Sequence, residues 1–401
     1  ASQSTDRFMT FKIASAALFW LAVGLIQKFN WGLGTYKALV MAAVLTSIPF
    51  LVGGTLTRLA PLGTLSRLRE RDGVREAANR RLLKIACAIL LTLVLLFAFR
   101  EVWHPHPLDI GTTTLDAGRA LAAGNNPYLL PLDPQPGFTG YKYLPMMALA
   151  YLPLGLPWGA SGLVLTNLLL YLGLLWTLYR VLARRAGPDA ALLGCFLTLS
   201  LPLIPFQLFA KGVTDLVAVL PLLVAFGLYD RKPGWAGFLV GLSLAAKPLP
   251  GALLLPCLVP ATGKARLAYG LGIIIGLTPI LPFAIASPRA LFENTILFNG
   301  LRPPDSTNWT MLAPPFLQWL ARLGAASFVL VTAIKVWRAR PRPAARAALA
   351  SALILATILA GPIAHHNYQL WWITFYVPLL ALAITGTSAV PVAPASGDFR
   401  T

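Results

Sequence analysis

The sequence predicts an all-α integral membrane protein with about twelve transmembrane helices. Of its 401 residues, 57% are hydrophobic and only 12% are charged, whereas a soluble globular chain carries roughly 25% charged residues. Many apolar runs approach the length of about 20 residues that crosses a bilayer. The 33 Lys and Arg residues outnumber the 14 Asp and Glu residues and gather between these runs, as the cations of cytoplasmic turns do.

The predicted spans, taken in order, leave one large polar loop between the third and the fourth. They are 12–29, 36–56, 83–100, 160–181, 189–208, 213–229, 234–248, 250–263, 267–287, 312–336, 346–364 and 369–386. No small-residue cleavage site follows the first span, which is expected to remain as an anchor. The segment 143–157 is too short to span comfortably, and we expect it to be a helix at the outer interface.

The distribution of Lys and Arg orients these spans. The strongly basic loop 58–84 and the N-terminus are placed in the cytoplasm, and the later basic turns then fall on the same side. The formal charge of +19 is explained better by anionic lipid headgroups than by nucleic acid. Three regions result: N-terminal helices (1–100), an extracytoplasmic loop with interfacial helices (101–159) and a transmembrane bundle (160–401).

The extracytoplasmic side receives most of the polar chemistry of the chain. Its residues include His104, His106, His365, His366, Asp109, Asp116, Asp133, Asp215, Glu293, Asp305, Lys142, Lys211, Lys247 and Arg302. Polar groups in a membrane protein collect where water reaches them. The clustering predicts a functional site at the outer membrane surface, and ordinary solvated loop residues are the alternative.

A site on that side has no access to ATP or nucleotide sugars, and the sequence contains no Walker loop or GxGxxG cradle. The membrane itself can supply a polyprenyl-phosphate sugar. Transfer from this donor needs cations for the leaving phosphate and a carboxylate as general base for the acceptor hydroxyl. Cys87, Cys195 and Cys257 lie in apolar runs without a CxxC pair, so neither a disulfide framework nor a zinc site is indicated, and no cofactor is expected.

Asp109 and Asp116 are the candidate bases. They are seven residues apart and share a helix face only if the segment between them is helical, which Gly111 and the three threonines after it argue against. Lys247, in AAKPLP at the end of an apolar run, either snorkels to the surface or serves a ligand.

The later candidates lie near the last two predicted spans. Arg302 is either a solvated loop cation or a substrate contact. Adjacent histidines point in different directions on a helix, so His365 and His366 favour one phosphate or substrate contact over a metal site. Trp371 and Trp372 fit an interfacial aromatic belt.

Three stretches resemble glycosyltransferase family 87, multi-spanning GT-C enzymes that include polyprenol-phosphate-mannose-dependent mannosyltransferases of phosphatidylinositol mannoside synthesis. The stretches are Asp109 followed by AGRALAAGNNPY and YKYLPMMALAYLPL, then GWAGFLVGLSLAAKPLP, and finally HHNYQLWWITFYVPLL. The resemblance covers about 100–385 and implies a GT-C-type fold.

The resemblance also implies an inverting, metal-independent transfer with Asp109 as the base and Lys247 and a late histidine at the donor phosphate. The further candidates for donor phosphate or substrate binding are Arg302, Lys211, Tyr128 and Tyr143. The chain departs from the family pattern in two places: AKGVTD replaces Gly-Gln-x-Asn after 208, and Thr113 replaces an aromatic residue. These departures leave the sugar open.

The resulting hypothesis is a polyprenyl-phosphate-sugar-dependent hexosyltransferase that transfers mannose or a similar hexose or pentose to a lipid or glycan acceptor. It is expected in the bacterial cytoplasmic membrane with its site facing outward, and no nucleic-acid partner is expected. The alternative is a multi-span secondary transporter or lipid flippase. Span centres nearly free of charge and the lack of an internal repeat disfavour it.

Overall fold

The computed structural model describes residues 68–132, 138–201, 203–260, 262–301, 314–339, 343–360 and 368–385. These ranges are built from helices and short connections. The predicted spans 12–29 and 36–56 lie outside the described residues, as do Asp133, Arg302, Asp305, His365 and His366.

The helices are numbered here in chain order. They are α1 Leu68–Trp103, α2 Asp109–Ala122, α3 Pro145–Ala186, α4 Pro188–Leu199, α5 Leu216–Leu228, α6 Pro233–Ala246, α7 Pro248–Leu254, α8 Gly263–Gly276, α9 Leu281–Ala286, α10 Pro288–Phe292, α11 Phe298–Leu301, α12 Pro315–Ala339, α13 Pro343–Ala360 and α14 Gln369–Thr385. Shorter turns are an α turn Leu203–Pro205, π turns at Phe206–Ala210 and Glu293–Leu297, and 3-10 turns at Pro256–Leu258 and Thr278–Ile280.

Four helices of the described part are long and apolar enough to cross a membrane, which makes the chain a multi-pass membrane protein. They are Arg80–Trp103, Pro145–Ala186, Gly263–Ala286 and Phe316–Val336. The pair Pro188–Leu199 and Leu203–Ala210, bent by 56°, gives a fifth if it is one span. The predicted count of about twelve is not confirmed.

Several predicted spans are shorter or broken. The stretches 213–229 and 234–248 are the short apolar helices α5 and α6, and 250–263 divides into α7 and a 3-10 turn. Prolines account for these ends, since Pro233 begins α6 and Pro248 prevents α6 from running into α7. A proline lacks the backbone N–H of a helix interior and restricts the residue before it.

The break inside α3 lies at Gly159, whose φ of 55° and ψ of −129° are not helical. Glycine adopts such a conformation readily because it has no Cβ. The break confirms that a separate helix precedes the span that begins near 160. The position of that first helix at the membrane interface stays a prediction.

The helix α2 is continuous from Asp109 to Ala122, so the expectation of a break after Gly111 was wrong. The threonine hydroxyls are satisfied inside the helix. Thr113 Oγ1 donates to the Asp109 carbonyl and Thr114 Oγ1 to the Ile110 carbonyl, each at 2.7 Å. These bonds to the preceding turn remove the competition that threonine hydroxyls offer to a helix. Residues seven apart on α2 therefore share one face.

Two compact units divide the chain. The first comprises 1–89, 178–197 and 377–401, and in it Arg80 binds both carboxylate oxygens of Asp189 at 2.6 and 2.8 Å. The second comprises 90–177 and 198–376 and contains every predicted site residue that the structure describes.

Small residues bring α6 and α8 together in the second unit. A Cβ added at Gly237 would overlap the Tyr269 carbonyl, and one added at Gly272 would overlap the Gly234 carbonyl. Glycines at such a contact let helix backbones approach closely in a membrane. This packing holds α6, whose C-terminal end carries Lys247.

Gly212 fixes the turn that connects the π turn at Phe206–Ala210 to α5. Its φ is +63°, and an added Cβ would lie 2.6 Å from Pro107 Cβ and 3.1 Å from Leu163 Cδ2. We expect Gly212→Ala to destabilise the protein by about 2–4 kcal/mol, because backbone strain and steric overlap add. Thermal unfolding in detergent measures this effect.

Gly124→Ala is the matched control. Gly124 also has a positive φ, +76°, but an added Cβ would meet nothing within 4 Å. The Gly124→Ala substitution is expected to lower the free energy of unfolding by about 1 kcal/mol, from backbone strain alone. Equal decreases in unfolding temperature for Gly212→Ala and Gly124→Ala would contradict the close approach of Gly212 to Pro107.

Candidate functional site

The second unit contains a buried ion pair. Lys247, which follows α6, donates from Nζ to Asp215 Oδ1 at 2.8 Å. The Asp215 side chain is fully buried and that of Lys247 is 11% exposed. Trp371 on α14 donates its indole N–H to the same Oδ1 at 2.5 Å. A charge taken out of water costs free energy unless it is paired and hydrogen-bonded, and these contacts meet that requirement.

Three aromatic rings surround the ammonium group. Lys247 Nζ lies 4.9 Å from the ring centroid of Tyr368, 5.0 Å from that of Trp371 and 5.5 Å from that of Tyr143. Ring faces carry partial negative charge and attract a cation at these distances. We call Lys247, Asp215 and these three aromatic residues the lysine cage.

Asn167 on α3 holds the turn that leads to Asp215. Its Nδ2 donates to the carbonyls of Leu208 and Val213, at 2.7 and 3.1 Å, and its Oδ1 accepts the Tyr151 hydroxyl at 2.5 Å. Asn167 is fully buried, so these bonds are not exchanged with water. Asn167, which lies within the predicted span 160–181, is therefore a brace for the turn before α5.

Tyr143 forms the side of the lysine cage that faces α2. Its carbonyl accepts the hydroxyl of buried Tyr128 at 2.8 Å, and its ring meets that of Tyr141 at 5.5 Å between centroids. Burial raises the pKa of Tyr143 well above its ordinary value, and Tyr368, Asp215, Tyr141 and Asp109 raise it further. Tyr143 is therefore a neutral hydroxyl at physiological pH.

Asn294 holds the loop that carries Tyr143. Its Oδ1 accepts the Gly140 backbone N–H at 2.9 Å and Lys142 Nζ at 3.3 Å, and its Nδ2 donates to the Tyr128 carbonyl at 3.3 Å. Lys142 is buried and also donates to the Phe138 carbonyl at 2.7 Å. These bonds hold the loop to the π turn at Glu293–Leu297.

Asp109 is exposed in the first turn of α2. Its Oδ1 accepts the Ile110 backbone N–H at 2.8 Å, and the positive end of a helix favours a carboxylate there. The Leu108 backbone N–H donates to the Lys211 carbonyl at 2.9 Å, which docks the start of α2 on the turn before α5. The Asp109 side chain is therefore accessible at the start of α2.

Asp116 has a different environment two turns along α2. Its Oδ1 accepts from Arg119 at 2.8 Å, and the side chains are 46% and 55% exposed. One oxygen of the Asp116 carboxylate is therefore engaged in a surface ion pair. Of the two candidate bases, Asp109 is the more open.

Among the predicted site residues, Lys247 contacts the Tyr143 ring and the Tyr128 hydroxyl is bonded to the Tyr143 carbonyl. Asp109 follows Leu108, whose backbone N–H is bonded to the Lys211 carbonyl. Lys211 is half-buried, with Nζ 5.4 Å from the ring centroid of Phe206. The roles of Arg302, His365 and His366 stay predictions because these residues lie outside the described ranges. Among the described residues, no group of three or more His, Cys, Asp or Glu side chains is placed to hold a metal ion.

Two expectations from the sequence are corrected here. The ammonium group of Lys247 is paired with Asp215, and whether it also serves a ligand stays a prediction. Asp215 is fully buried and is not a solvated outer residue. Trp371 and Trp372 are buried, at 2% and 3% exposure, and do not form an exposed belt.

Sequence reasoning missed Asp215 and Trp371 as partners of Lys247. The available signal was a carboxylate at the start of an apolar helix, since an ionisable group at membrane depth requires a partner. Lys247 was the natural partner, because both residues were predicted at the outer ends of neighbouring spans.

The fold is similar to that of ArnT from Cupriavidus metallidurans in its crystal structure with bound undecaprenyl phosphate. The TM-score is 0.51 at 15% sequence identity, over 74% of this chain and 59% of ArnT. The chain therefore spans less than two thirds of the ArnT length. No curated protein matches the sequence.

The model of glycosyltransferase family 87 matches residues 141–362. The matched region includes Tyr143, Lys211, Asp215 and Lys247 and begins after α2, so Asp109 lies outside it. It is shorter at both ends than the predicted range of 100–385. Since the match covers more than half of the 401 residues, this multi-pass membrane chain belongs to glycosyltransferase family 87.

Proposed function

We propose that this protein transfers a sugar from a polyprenyl-phosphate donor to a lipid or glycan acceptor on the extracytoplasmic face of a bacterial cytoplasmic membrane. The observation that carries the proposal is the exposed carboxylate of Asp109 at the start of α2, a start that the Leu108 backbone N–H bonds to the carbonyl of the cation Lys211 at 2.9 Å. Family 87 membership supports glycosyl transfer. The undecaprenyl phosphate held by ArnT, which shares the fold, supports a lipid-phosphate donor.

The proposed reaction is a single displacement. Asp109 accepts the proton of the acceptor hydroxyl as that oxygen forms a bond to the anomeric carbon of the sugar. The bond between the anomeric carbon and the phosphate oxygen breaks, and the polyprenyl phosphate leaves with the electron pair. Attack from the side opposite to the leaving group inverts the anomeric configuration.

The leaving phosphate requires positive charge that is already in place. Lys247 is one source, although Asp215 compensates part of its charge. Lys211 is the second, since its backbone is bonded to the residue before Asp109. Arg302 and one of His365 and His366 complete the proposed set.

Asp109 is proposed as the base and Asp116 as the reserve. Asp109 is exposed and its carboxylate caps the start of α2, whereas Asp116 is bonded to Arg119. The oxygen of a general base has to lie about 3 Å from the hydroxyl oxygen whose proton it accepts. An exposed carboxylate can approach the acceptor hydroxyl without first breaking an ion pair.

The proposal is tested by a transfer assay with purified protein in nanodiscs. Polyprenyl-phosphate-mannose and other lipid-phosphate sugars serve as donors, with a cell lipid extract as acceptor. We expect one labelled product and an equal amount of released polyprenyl phosphate. Label transferred from a nucleotide sugar alone would contradict the donor class. Transport of a lipid-linked sugar across liposomes without transfer would support the transporter alternative instead.

A further inference from the structure

The two charges of the lysine cage differ in their access to the site. The Asp215 side chain is completely buried, whereas the Lys247 side chain keeps 11% of its surface exposed. Of the two side chains only that of Lys247 retains exposed surface, so Lys247 is the member of the pair that a substrate can contact. Any influence of Asp215 on a substrate has to pass through Lys247.

Asp215 is itself held rigidly from two sides. Trp371 donates to its Oδ1, and the turn before it is braced by Asn167, which bonds the Leu208 and Val213 carbonyls. Polar networks that are satisfied inside a protein hold one arrangement, because every alternative leaves a buried group unpaired. The oxygen that Lys247 binds thus has a defined position.

Lys247 has a long, flexible side chain whose ammonium group carries three donors. Within the described part of the chain, its hydrogen-bond acceptor is Asp215 Oδ1. The rings of Tyr143, Tyr368 and Trp371 limit the remaining directions. One donor is used to orient the group, and the other donors are left for ring faces and a ligand.

From this arrangement we propose that Asp215 is a positioning residue: it holds the Lys247 ammonium group in the orientation that receives the phosphate of the lipid donor. The inference rests on the proposed function for the identity of the ligand. It assigns a role to the aspartate of AKGVTD, the segment in which this chain departs from the Gly-Gln-x-Asn pattern of the family it resembles.

The test measures binding of polyprenyl phosphate without any acceptor, so that it is independent of transfer. Four proteins are compared in nanodiscs: the wild type, Asp215→Asn, Lys247→Met and the double variant. Asp215→Asn is expected to weaken binding about 10-fold, the order of loss when a supporting contact of a positioned ligand is removed. The double variant is expected to bind as Lys247→Met does, because Asp215 has no effect once Lys247 is absent.

Asp189→Asn is the matched control, since Asp189 also forms an ion pair, with Arg80, in the other compact unit. It is expected to bind as the wild type does. Equal weakening by Asp189→Asn would contradict the inference. Binding of polyprenyl phosphate by Asp215→Asn at the wild-type level would also contradict it. So would a double variant that binds more weakly than Lys247→Met by the factor seen for Asp215→Asn alone.

Trp371→Phe provides a second variant should Asp215→Asn not fold. It removes the indole donor to Asp215 and retains both charges and an aromatic ring. Binding of polyprenyl phosphate is expected to weaken about 3-fold, from the loss of one hydrogen bond, and unchanged binding would contradict the inference. A wild type that binds no polyprenyl phosphate would contradict the proposed donor itself, which separates the failure of the two proposals.

Discussion

Asp109→Asn is expected to lower kcat for sugar transfer by about 10²–10⁴-fold, the range that a general base contributes. Asparagine preserves the size of the side chain and can still accept the Ile110 backbone N–H that Asp109 binds. It cannot accept the proton of the acceptor hydroxyl. The loss should therefore appear in kcat, with the binding of polyprenyl phosphate and the unfolding temperature nearly unchanged.

Asp116→Asn is the matched control, on the same face of α2. Asp116 is bonded to Arg119 at the surface, and exposed ion pairs contribute roughly 0–1 kcal/mol. We expect transfer within a few-fold of the wild type. If Asp116→Asn abolishes transfer and Asp109→Asn does not, the base is Asp116. If both variants are fully active, the reaction uses another base.

Lys247→Met is expected to destabilise the protein by about 3–5 kcal/mol, because it leaves the fully buried Asp215 carboxylate without its cation. Trp371 would remain as a neutral donor to Asp215 and cannot compensate its charge. Chemical or thermal unfolding in detergent measures the loss. The same variant should also lose sugar transfer, since it removes a proposed phosphate contact.

The double variant Asp215→Asn with Lys247→Met separates these two effects. Removal of both buried charges is often neutral for stability, so the unfolding temperature should return toward that of the wild type. Transfer should stay low because the cation is still absent. A double variant that regains both stability and transfer would show that the pair has only a structural role.

The outline of the fold and one side of the site could be predicted from composition and order along the chain. Asp109 follows the predicted span 83–100, and the structure places it exposed at the start of α2. The continuity of α2 runs against the helix propensity of Gly111 and the threonines, and the hydroxyl of buried Thr113 is satisfied within the helix by the Asp109 carbonyl. Helix propensity is an average over many environments and does not include the hydrogen bond that one threonine hydroxyl makes within its own helix.

The lysine cage could not be predicted because its members are distant in sequence. Asp215 and Lys247 are 32 residues apart, and Trp371 is 156 residues from Asp215. Their meeting depends on the packing of α5, α6 and α14, which hydropathy does not determine. The sequence therefore identified Lys247 as unusual but left its partner open.

The most direct test of the proposed mechanism is the anomeric configuration of the transferred sugar relative to the donor, read by NMR of the purified product. Displacement with Asp109 as the only base predicts inversion, since the acceptor attacks from the side opposite to the departing phosphate. Retention would require a covalent glycosyl intermediate on a second nucleophile. It would contradict the role proposed for Asp109.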